Sequence, residues 1–294
     1  MKFIQCLLEL LGIIKLPVSD SRFAYLSGSN LFPQDNLDYA MLEGMLKAFK
    51  VPVIRMPMPF ANNQWLEFAR RVNFLTTKGI SSLILIDCVD SEKDGLQRID
   101  FINAHCIKPY SIEFFNERPT MPYPGLQFTC LKDLMDCHNR FAYFVKRTMI
   151  NVPILHMAPL NILVDYQLDS NWGYSNRNQY SELAKWCYSD ISSCHLYADN
   201  KTKPSSFQDT KDLIEKVRSS YNKPTWITET GDSLPSNHIY FFNTWIARIA
   251  EHYRPEKILW YRQEIEDRGR GDGGFALTSE HSAMSPLWSK LISK

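Results

Sequence analysis

The sequence has almost no net charge, and this limits the partners that it can attract. Lys and Arg total 33 against 32 Asp and Glu, so the formal net charge is +1. A chain with so little excess charge exerts no general attraction on nucleic acid or on an anionic membrane surface. We therefore expect neither nucleic acid nor a membrane among its partners.

Several motifs with known chemistry are also missing. No HExxH or GxSxG pattern indicates a zinc protease or a serine hydrolase, and the Gly-rich stretch 268–274 lacks the GxxxxGK[ST] of a phosphate-binding loop. The seven cysteines are odd in number and form no CxxC pair, which favours free thiols in a reducing compartment over disulfides or a zinc site. The seven histidines show no ligand spacing. We expect no metal and no cofactor.

No apolar run is long enough to span a bilayer. The N-terminal run 3–16 is interrupted by Gln5, Glu9 and Lys15 and has no clear cleavage site. We predict that residues 1–21 cap the domain from its N-terminal side, with a vestigial leader as the alternative. A cytoplasmic location is favoured over secretion.

The remainder of the chain alternates short apolar runs with helical stretches. The hydrophobic fraction, 45%, is sufficient for a large core. Eight strand–helix units without a linker predict an α/β fold, a single (β/α)8 TIM barrel domain over residues 1–294, most simply a monomer; an open doubly wound sheet is the alternative. The predicted strands are 23–28, 51–58, 82–89, 111–117, 152–159, 191–197, 223–231 and 257–261.

Two of the predicted strands end on a glutamate. Glu117 follows the apolar run that starts at Ser111, and Glu229 ends the run that starts at Lys223. Carboxylates are rarely buried without a partner, so packing alone does not explain these positions. In a barrel the carboxyl ends of the strands meet at one face, and two facing carboxyl groups are what cleavage of a glycosidic bond requires.

Other residues at strand ends extend this pattern: Arg55 on strand two, Asn116-Glu117 on strand four, His195-x-Tyr197 on strand six, Glu229 on strand seven and Trp260 on strand eight. Together they resemble the clan A retaining glycoside hydrolases, which include the family 5 cellulases and mannanases. Residues 274–277 and 286–288 are similar to the terminal hairpin and last helix of that clan. Arg118 stands where many relatives have proline, and the third strand lacks the histidine common in family 5.

The resemblance implies a role for each of these residues. Glu229 would be the nucleophile of a double displacement and Glu117 the proton donor and later the base, without a cofactor. An oligo- or polysaccharide would be the substrate. The implied substrate-binding residues are Arg55, Asn116, His195, Tyr197 and Trp260, with Asn116 on the 2-hydroxyl and Trp260 as a stacking floor for a sugar ring.

Three other interpretations remain open. The barrel could bind a glycan without cleaving it, although a binding module has no need to keep both carboxylates. The strand-end acids could hold a metal in an unrelated α/β enzyme. Each glutamate could also be a structural residue that forms a salt bridge with Arg55 or Arg118.

Overall fold

The computed structural model describes residues 27–30, 39–49, 52–118, 125–164, 174–197, 204–232, 235–261, 264–265, 278–279, 287 and 289. The expected N-terminal cap or leader, residues 1–21, lies outside these ranges. So do the expected hairpin at 274–277 and most of the expected closing helix at 286–288.

Eight parallel strands form the centre of the molecule. They follow one another in the order β5-β4-β3-β2-β1-β8-β7-β6, and a parallel bridge between Leu155 and Ile191 joins the two outer members of this series. This confirms the predicted (β/α)8 barrel over the open sheet. The strands are β1 (Gly28–Asn30), β2 (Val53–Pro57), β3 (Ser81–Ile86), β4 (Tyr110–Phe114), β5 (Ile154–Leu155), β6 (Ser192–His195), β7 (Thr225–Thr230) and β8 (Lys257–Trp260).

Helices alternate with the strands in the described part of the chain. After the helix Trp65–Thr77 the chain turns at Gly79, whose φ of +77° is strained for a residue with a side chain. A π-helical segment, Phe242–Ile246, joins the last two helices, and a small parallel pair, β9 (Glu264–Ile265) and β10 (Thr278–Ser279), follows β8. The helices are α1 (Tyr39–Ala48), α2 (Trp65–Thr77), α3 (Glu92–His105), α4 (Leu131–Thr148), α5 (Asn176–Trp186), α6 (Pro204–Tyr221), α7 (His238–Phe241) and α8 (Ala247–Tyr253).

Apolar side chains pack in two regions. The larger cluster includes buried residues of the strands and of the helices around them, and a smaller cluster gathers residues of five strands and the residue before β6. β1 approaches β2 so closely that a Cβ on Gly28 would lie 1.7 Å from the carbonyl oxygen of Val53. The smaller cluster comprises Val53, Leu83, Leu155, Ile191, Trp226 and Leu259.

The six cysteines within the described ranges are free thiols, as the sequence predicts. Four of them are buried, and Cys88 and Cys130 are partly exposed. None of the described helices combines the length and the apolar character needed to cross a membrane.

Candidate active site

The first catalytic candidate, Glu229, is aimed by an irregularity in β7. Strict alternation would turn Thr228 and Glu229 to opposite faces of the strand. Both pairings of β7 shift register here, however: Cys194 and His195 of β6 face Ile227 and Glu229, so Thr228 is the additional residue of a β-bulge. Because of the bulge, the side chains of Thr228 and Glu229 both reach the polar cluster around Arg55.

The second candidate, Glu117, lies on a sharp turn after β4. The strand ends at Phe114, and the backbone then takes positive φ values of 64° at Phe115 and 46° at Glu117, which are uncommon for residues other than glycine. The N–H of Glu117 donates to the carbonyl of Ala158 at 3.1 Å, and that of Asn116 donates to Asp87 Oδ1 at the same distance. These bonds hold the turn in its strained conformation.

Asp87 also pairs with Arg118, the residue that replaces the common proline. Arg118 Nη2 lies 3.3 Å from Asp87 Oδ1, and both side chains are buried. Burial raises the pKa of Asp87 to about 6, although Arg118 and the Asn116 N–H act in the opposite direction. The pair therefore binds the turn from the side of β3.

Arg55 of β2 connects the two halves of the site. Its Nη1 donates to Glu229 Oε1 at 2.6 Å and to Asn30 Oδ1 at 3.0 Å, and its Nη2 donates to Asn116 Oδ1 at 2.7 Å. Its Nε donates to Glu113 Oε2 at 2.6 Å. One guanidinium, 3% exposed, thus fixes the nucleophile candidate and Asn116 relative to each other.

Glu117 and Glu229 differ in their nearest partners. His195 Nδ1 lies 2.5 Å from Glu117 Oε1 and 3.6 Å from Glu229 Oε2. Burial lowers the pKa of His195 to about 4, so the imidazole is neutral near neutral pH. A neutral imidazole can donate to an ionised Glu117 or accept from a protonated one.

Burial also governs the protonation of both glutamates. It raises the pKa of Glu117 to about 7, with Arg55 acting weakly in the opposite direction. Burial raises the pKa of Glu229 too, and the Glu117 charge acts in the same direction, but Arg55 and the Tyr197 hydroxyl, which donates to Oε2 at 2.8 Å, favour the charged form. Two neighbouring carboxyls titrate as a pair. A proton shared by this pair is favoured on the carboxyl with the weaker cationic partner, Glu117.

Trp260 lies in a different environment from the one that its sequence position indicates. Its side chain is fully buried, and its ring packs edge-on against His238 and Phe241, with centroids 5.0 and 5.7 Å away. No ring face is exposed as a stacking floor in this structure. Contact with a sugar remains a prediction for this residue.

Glu117, His195 and Glu229 form the one group of potential metal ligands among the residues that the structure describes, with one ligand atom from each lying within 4.8 Å of the others. Both oxygens of Glu229 are already engaged, one by Arg55 and the other by Tyr197. A cation would also lie beside the Arg55 guanidinium. This donor set is therefore better suited to holding a proton than a metal.

Three members of the cluster were not singled out from the sequence. Asn30 donates from Nδ2 to the carbonyls of Thr228 and Trp260, and so binds the bulge of β7. Glu113 and Asp87 hold Arg55 and the turn after β4, respectively. A buried acid inside an apolar strand is an unusual pattern, and at Glu113 it could have been noticed.

Part of the chain is similar to a known protein family. Residues 164–289 match the family model described as glycosyl hydrolase catalytic core, a region that contains Tyr197 and Glu229 but neither Arg55 nor Glu117. A search of curated proteins by sequence finds no match.

Solved structures of low sequence identity share the barrel. An endo-1,4-β-D-mannanase from Thermotoga petrophila is 13% identical with a TM-score of 0.57, covering 90% of this chain and 98% of its own. An endo-1,4-β-mannanase from Rhizomucor miehei is 10% identical with a TM-score of 0.60, and the match covers 95% of this chain and 97% of the mannanase. A broad-specificity endoglucanase from Clostridium acetobutylicum is 12% identical with a TM-score of 0.60, and the match covers 91% of this chain and 96% of the endoglucanase.

The likeness to these solved structures confirms the barrel over nearly the full chain. The glycosyl hydrolase match over the C-terminal part supports a glycoside hydrolase and agrees with the resemblance seen in the sequence. The roles of individual residues in this chain remain proposals.

Proposed function

We propose that this protein is a retaining glycoside hydrolase that cleaves β-glycosidic bonds by double displacement. The observation that supports it most directly is the proximity of Glu117 and Glu229, which offer carboxylate oxygens within 4.8 Å of each other. Retaining enzymes hold their two carboxyl groups about 5–5.5 Å apart, whereas inverting enzymes leave about 6.5–9.5 Å for a water molecule. The short separation favours retention.

The distribution of charge in the site supports the assignment of the two roles. A nucleophile must be ionised, and Glu229 has both a guanidinium and a hydroxyl donating to its carboxylate. A proton donor must be protonated at the working pH, and the pKa of Glu117 is raised to about 7 by burial.

In the first step, an oxygen of Glu229 would bond to the anomeric carbon while the glycosidic bond breaks. Glu117 would give its proton to the departing oxygen. In the second step, the ionised Glu117 would take a proton from water, whose oxygen attacks the anomeric carbon and releases Glu229.

Asn116 would contact the substrate beside the nucleophile. Its Oδ1 accepts from Arg55 Nη2, which fixes the orientation of the amide and turns its NH2 group away from the guanidinium. A hydrogen bond to the sugar 2-hydroxyl strengthens in the oxocarbenium-like transition state.

Two similar solved structures are described as endo-1,4-β-mannanases and a third as a broad-specificity endoglucanase. This favours a β-linked oligo- or polysaccharide as the substrate. Mannan and glucan polymers are therefore the first to test.

The experiment compares wild type with Glu117→Gln and Glu229→Gln on aryl β-glycosides and on β-linked polysaccharides. Either variant should lose at least about 10²-fold in kcat/KM on polysaccharide, because each removes a required carboxyl group. Glu67→Gln, at an exposed position on α2, is the matched control and should behave as wild type. Activity in both site variants equal to that of the control would contradict the proposal.

Azide distinguishes the two glutamates. A Glu229→Gly variant leaves room for azide to attack the anomeric carbon directly, so its product should be a glycosyl azide of inverted configuration. In a Glu117→Gly variant azide would replace the base of the second step, and the glycosyl azide should keep the configuration of the substrate. The opposite pattern would exchange the two assignments.

The same panel tests the other interpretations. Wild-type protein that binds a glycan in a pull-down but cleaves no member of the panel would favour the inactive glycan-binding barrel. Activity that is lost with a chelator and restored with a divalent cation would favour a metal at the carboxyl pair.

A further inference from the structure

Glu113 is a fully buried carboxylate inside the barrel, four residues before Glu117. Its Oε2 accepts from Arg55 Nε at 2.6 Å. Its Oε1 accepts from Ser193 Oγ at 3.2 Å and from Thr228 Oγ1 at 3.5 Å. Both oxygens are therefore bound to side chains from three other strands.

The position of Glu113 determines how Arg55 can point. A guanidinium is planar, and its five N–H bonds have a fixed geometry. With Nε held by Glu113, the plane of the guanidinium can no longer rotate freely, and its two terminal nitrogens are directed at Glu229 and Asn116. The hydrogen bond between Nε and Glu113 thus fixes the direction of the contacts that Arg55 makes with Glu229 and Asn116.

Glu113 also changes the charge that the nucleophile experiences. Without it, the full positive charge of Arg55 would act on Glu229 alone. An acid that is too strongly paired with a cation is a weak base and a weak nucleophile. A second carboxylate on the same guanidinium divides the attraction between two partners.

We propose that Glu113 is a positioning residue of the glycosidase reaction, which orients Arg55 and moderates the attraction of its charge for Glu229. This inference rests on the proposed function. Glu113 touches no reacting atom in this mechanism and acts only through the guanidinium.

A purely structural role is the competing explanation. A buried ion pair fills the barrel interior, and loss of either partner destabilises a protein strongly whatever its function. The test therefore needs a readout that loss of stability alone would not move. The ionisation of Glu229 provides one.

Several charged or titratable groups surround Glu229, and all of them except Glu113 have to be kept constant. They come from β2, from β4 and the turn after it, and from β6 and the residues that follow it: Arg55, Glu113, Glu117, His195 and Tyr197. The variants below change Glu113 alone or its neighbour Ser193.

The experiment compares Glu113→Gln with Glu113→Asp and Ser193→Ala. Glu113→Gln keeps the size and an acceptor oxygen but removes the charge, so the acid limb of the kcat/KM profile should move down by about one pH unit while kcat falls. Glu113→Asp keeps the charge and should leave the limb in place, with a lower kcat because the shorter side chain holds Arg55 less firmly. Ser193→Ala removes one hydrogen bond to Glu113 and should also leave the limb in place.

A titration that needs no substrate separates this inference from the proposed function. In protein labelled with ¹³C at the glutamate carboxyl, the Glu229 resonance, identified by its loss in Glu229→Gln, should titrate at lower pH in Glu113→Gln than in wild type. The inference would hold on this result even if no glycan is cleaved. An unchanged Glu229 titration in folded Glu113→Gln would overturn it.

If Glu113→Gln fails to fold, Glu113→Asp decides between the two roles. A displaced guanidinium should reduce kcat at least about tenfold with KM nearly unchanged, since Arg55 holds the nucleophile in place. Wild-type kcat in folded Glu113→Asp would overturn the inference.

Discussion

The two carboxyl groups of the site have opposite kinds of surroundings. Glu229 contacts a guanidinium and a phenolic hydroxyl, both of which donate to it and stabilise its charge. Glu117 contacts a neutral imidazole and sits on a backbone turn held by Ala158 and Asp87. Both are nearly buried, so burial alone cannot distinguish them. Chemically identical side chains thus acquire different electrostatic surroundings from their partners.

Replacing Arg55 should have the largest effect, because it removes the guanidinium that distinguishes the surroundings of Glu229 from those of Glu117. Arg55→Lys offers a point charge that cannot bind Glu113, Glu229 and Asn116 in one plane. We expect a loss of about 10³-fold or more in kcat/KM and a fall of about 3–5 kcal/mol in the free energy of unfolding. Steady-state kinetics and denaturant unfolding measure these.

Arg70→Lys, an exposed change on α2, serves as the control and should alter neither quantity. An Arg55→Lys variant with wild-type activity would show that Glu229 does not depend on the guanidinium.

The pH dependence of the free energy of unfolding tests the raised pKa of Glu117. The folded pKa of about 7 lies above the ordinary value of 4.5, so the folded state holds the proton more tightly than the unfolded state does. This stabilisation is complete below pH 4.5 and is lost as the pH rises through 7, a contribution of about 3 kcal/mol. Urea unfolding measured between pH 4 and pH 8 detects the decline.

Asp87 and Glu229 also have raised pKa values, and they contribute in the same direction. The comparison is therefore wild type against Glu117→Gln, which should show a flatter profile. Parallel profiles would mean that Glu117 titrates normally.

Tyr197→Phe removes one of the two hydrogen-bond donors to Glu229 and leaves the contacts of Glu117 in place. It removes the hydroxyl that donates to Oε2 at 2.8 Å, a bond to a charged group worth about 1.5–3 kcal/mol. We expect kcat/KM to fall at least about tenfold and its acid limb to move to higher pH, because the ionised nucleophile loses a donor. An unshifted acid limb would contradict this role.

His195→Phe removes the imidazole that contacts Glu117, and it should have the smallest effect of these changes. The ionised form of Glu117 gains more from a hydrogen bond than the neutral acid does, so loss of the imidazole should raise the pKa of Glu117 further. The basic limb of kcat/KM should then move up by about half a pH unit or more. His252→Phe, at an exposed position, is the control. Movement of the limb to lower pH would contradict this description.

Much of the fold could be predicted from the sequence, since apolar runs and helical periodicity report burial directly. Most strands lie close to their expected positions, although β1 (Gly28–Asn30) starts where its predicted range ends and β5 shortens to Ile154–Leu155. Arg55, Asn116, Glu117, His195, Tyr197 and Glu229 all meet at one end of the barrel.

The supporting contacts were much harder to predict. The contacts of Glu113 form only because β4 lies beside β3 and opposite Ser193 in the closed barrel. A single strand read in isolation cannot predict this arrangement. Trp260 occupies the expected strand end, yet its burial depends on the rings of α7. The positive φ values after β4 also leave no signature in residue type.

The bulge at Thr228 makes the direction of Glu229 a matter of backbone conformation. If the same six residues of β7 alternated regularly, Thr228 would face the barrel interior and Glu229 would face the surrounding helices. Every proposed catalytic side chain would still be encoded, and the carboxyl pair would nevertheless be lost. A relative with the same residues but a regular strand at this position could keep the barrel without the carboxyl pair.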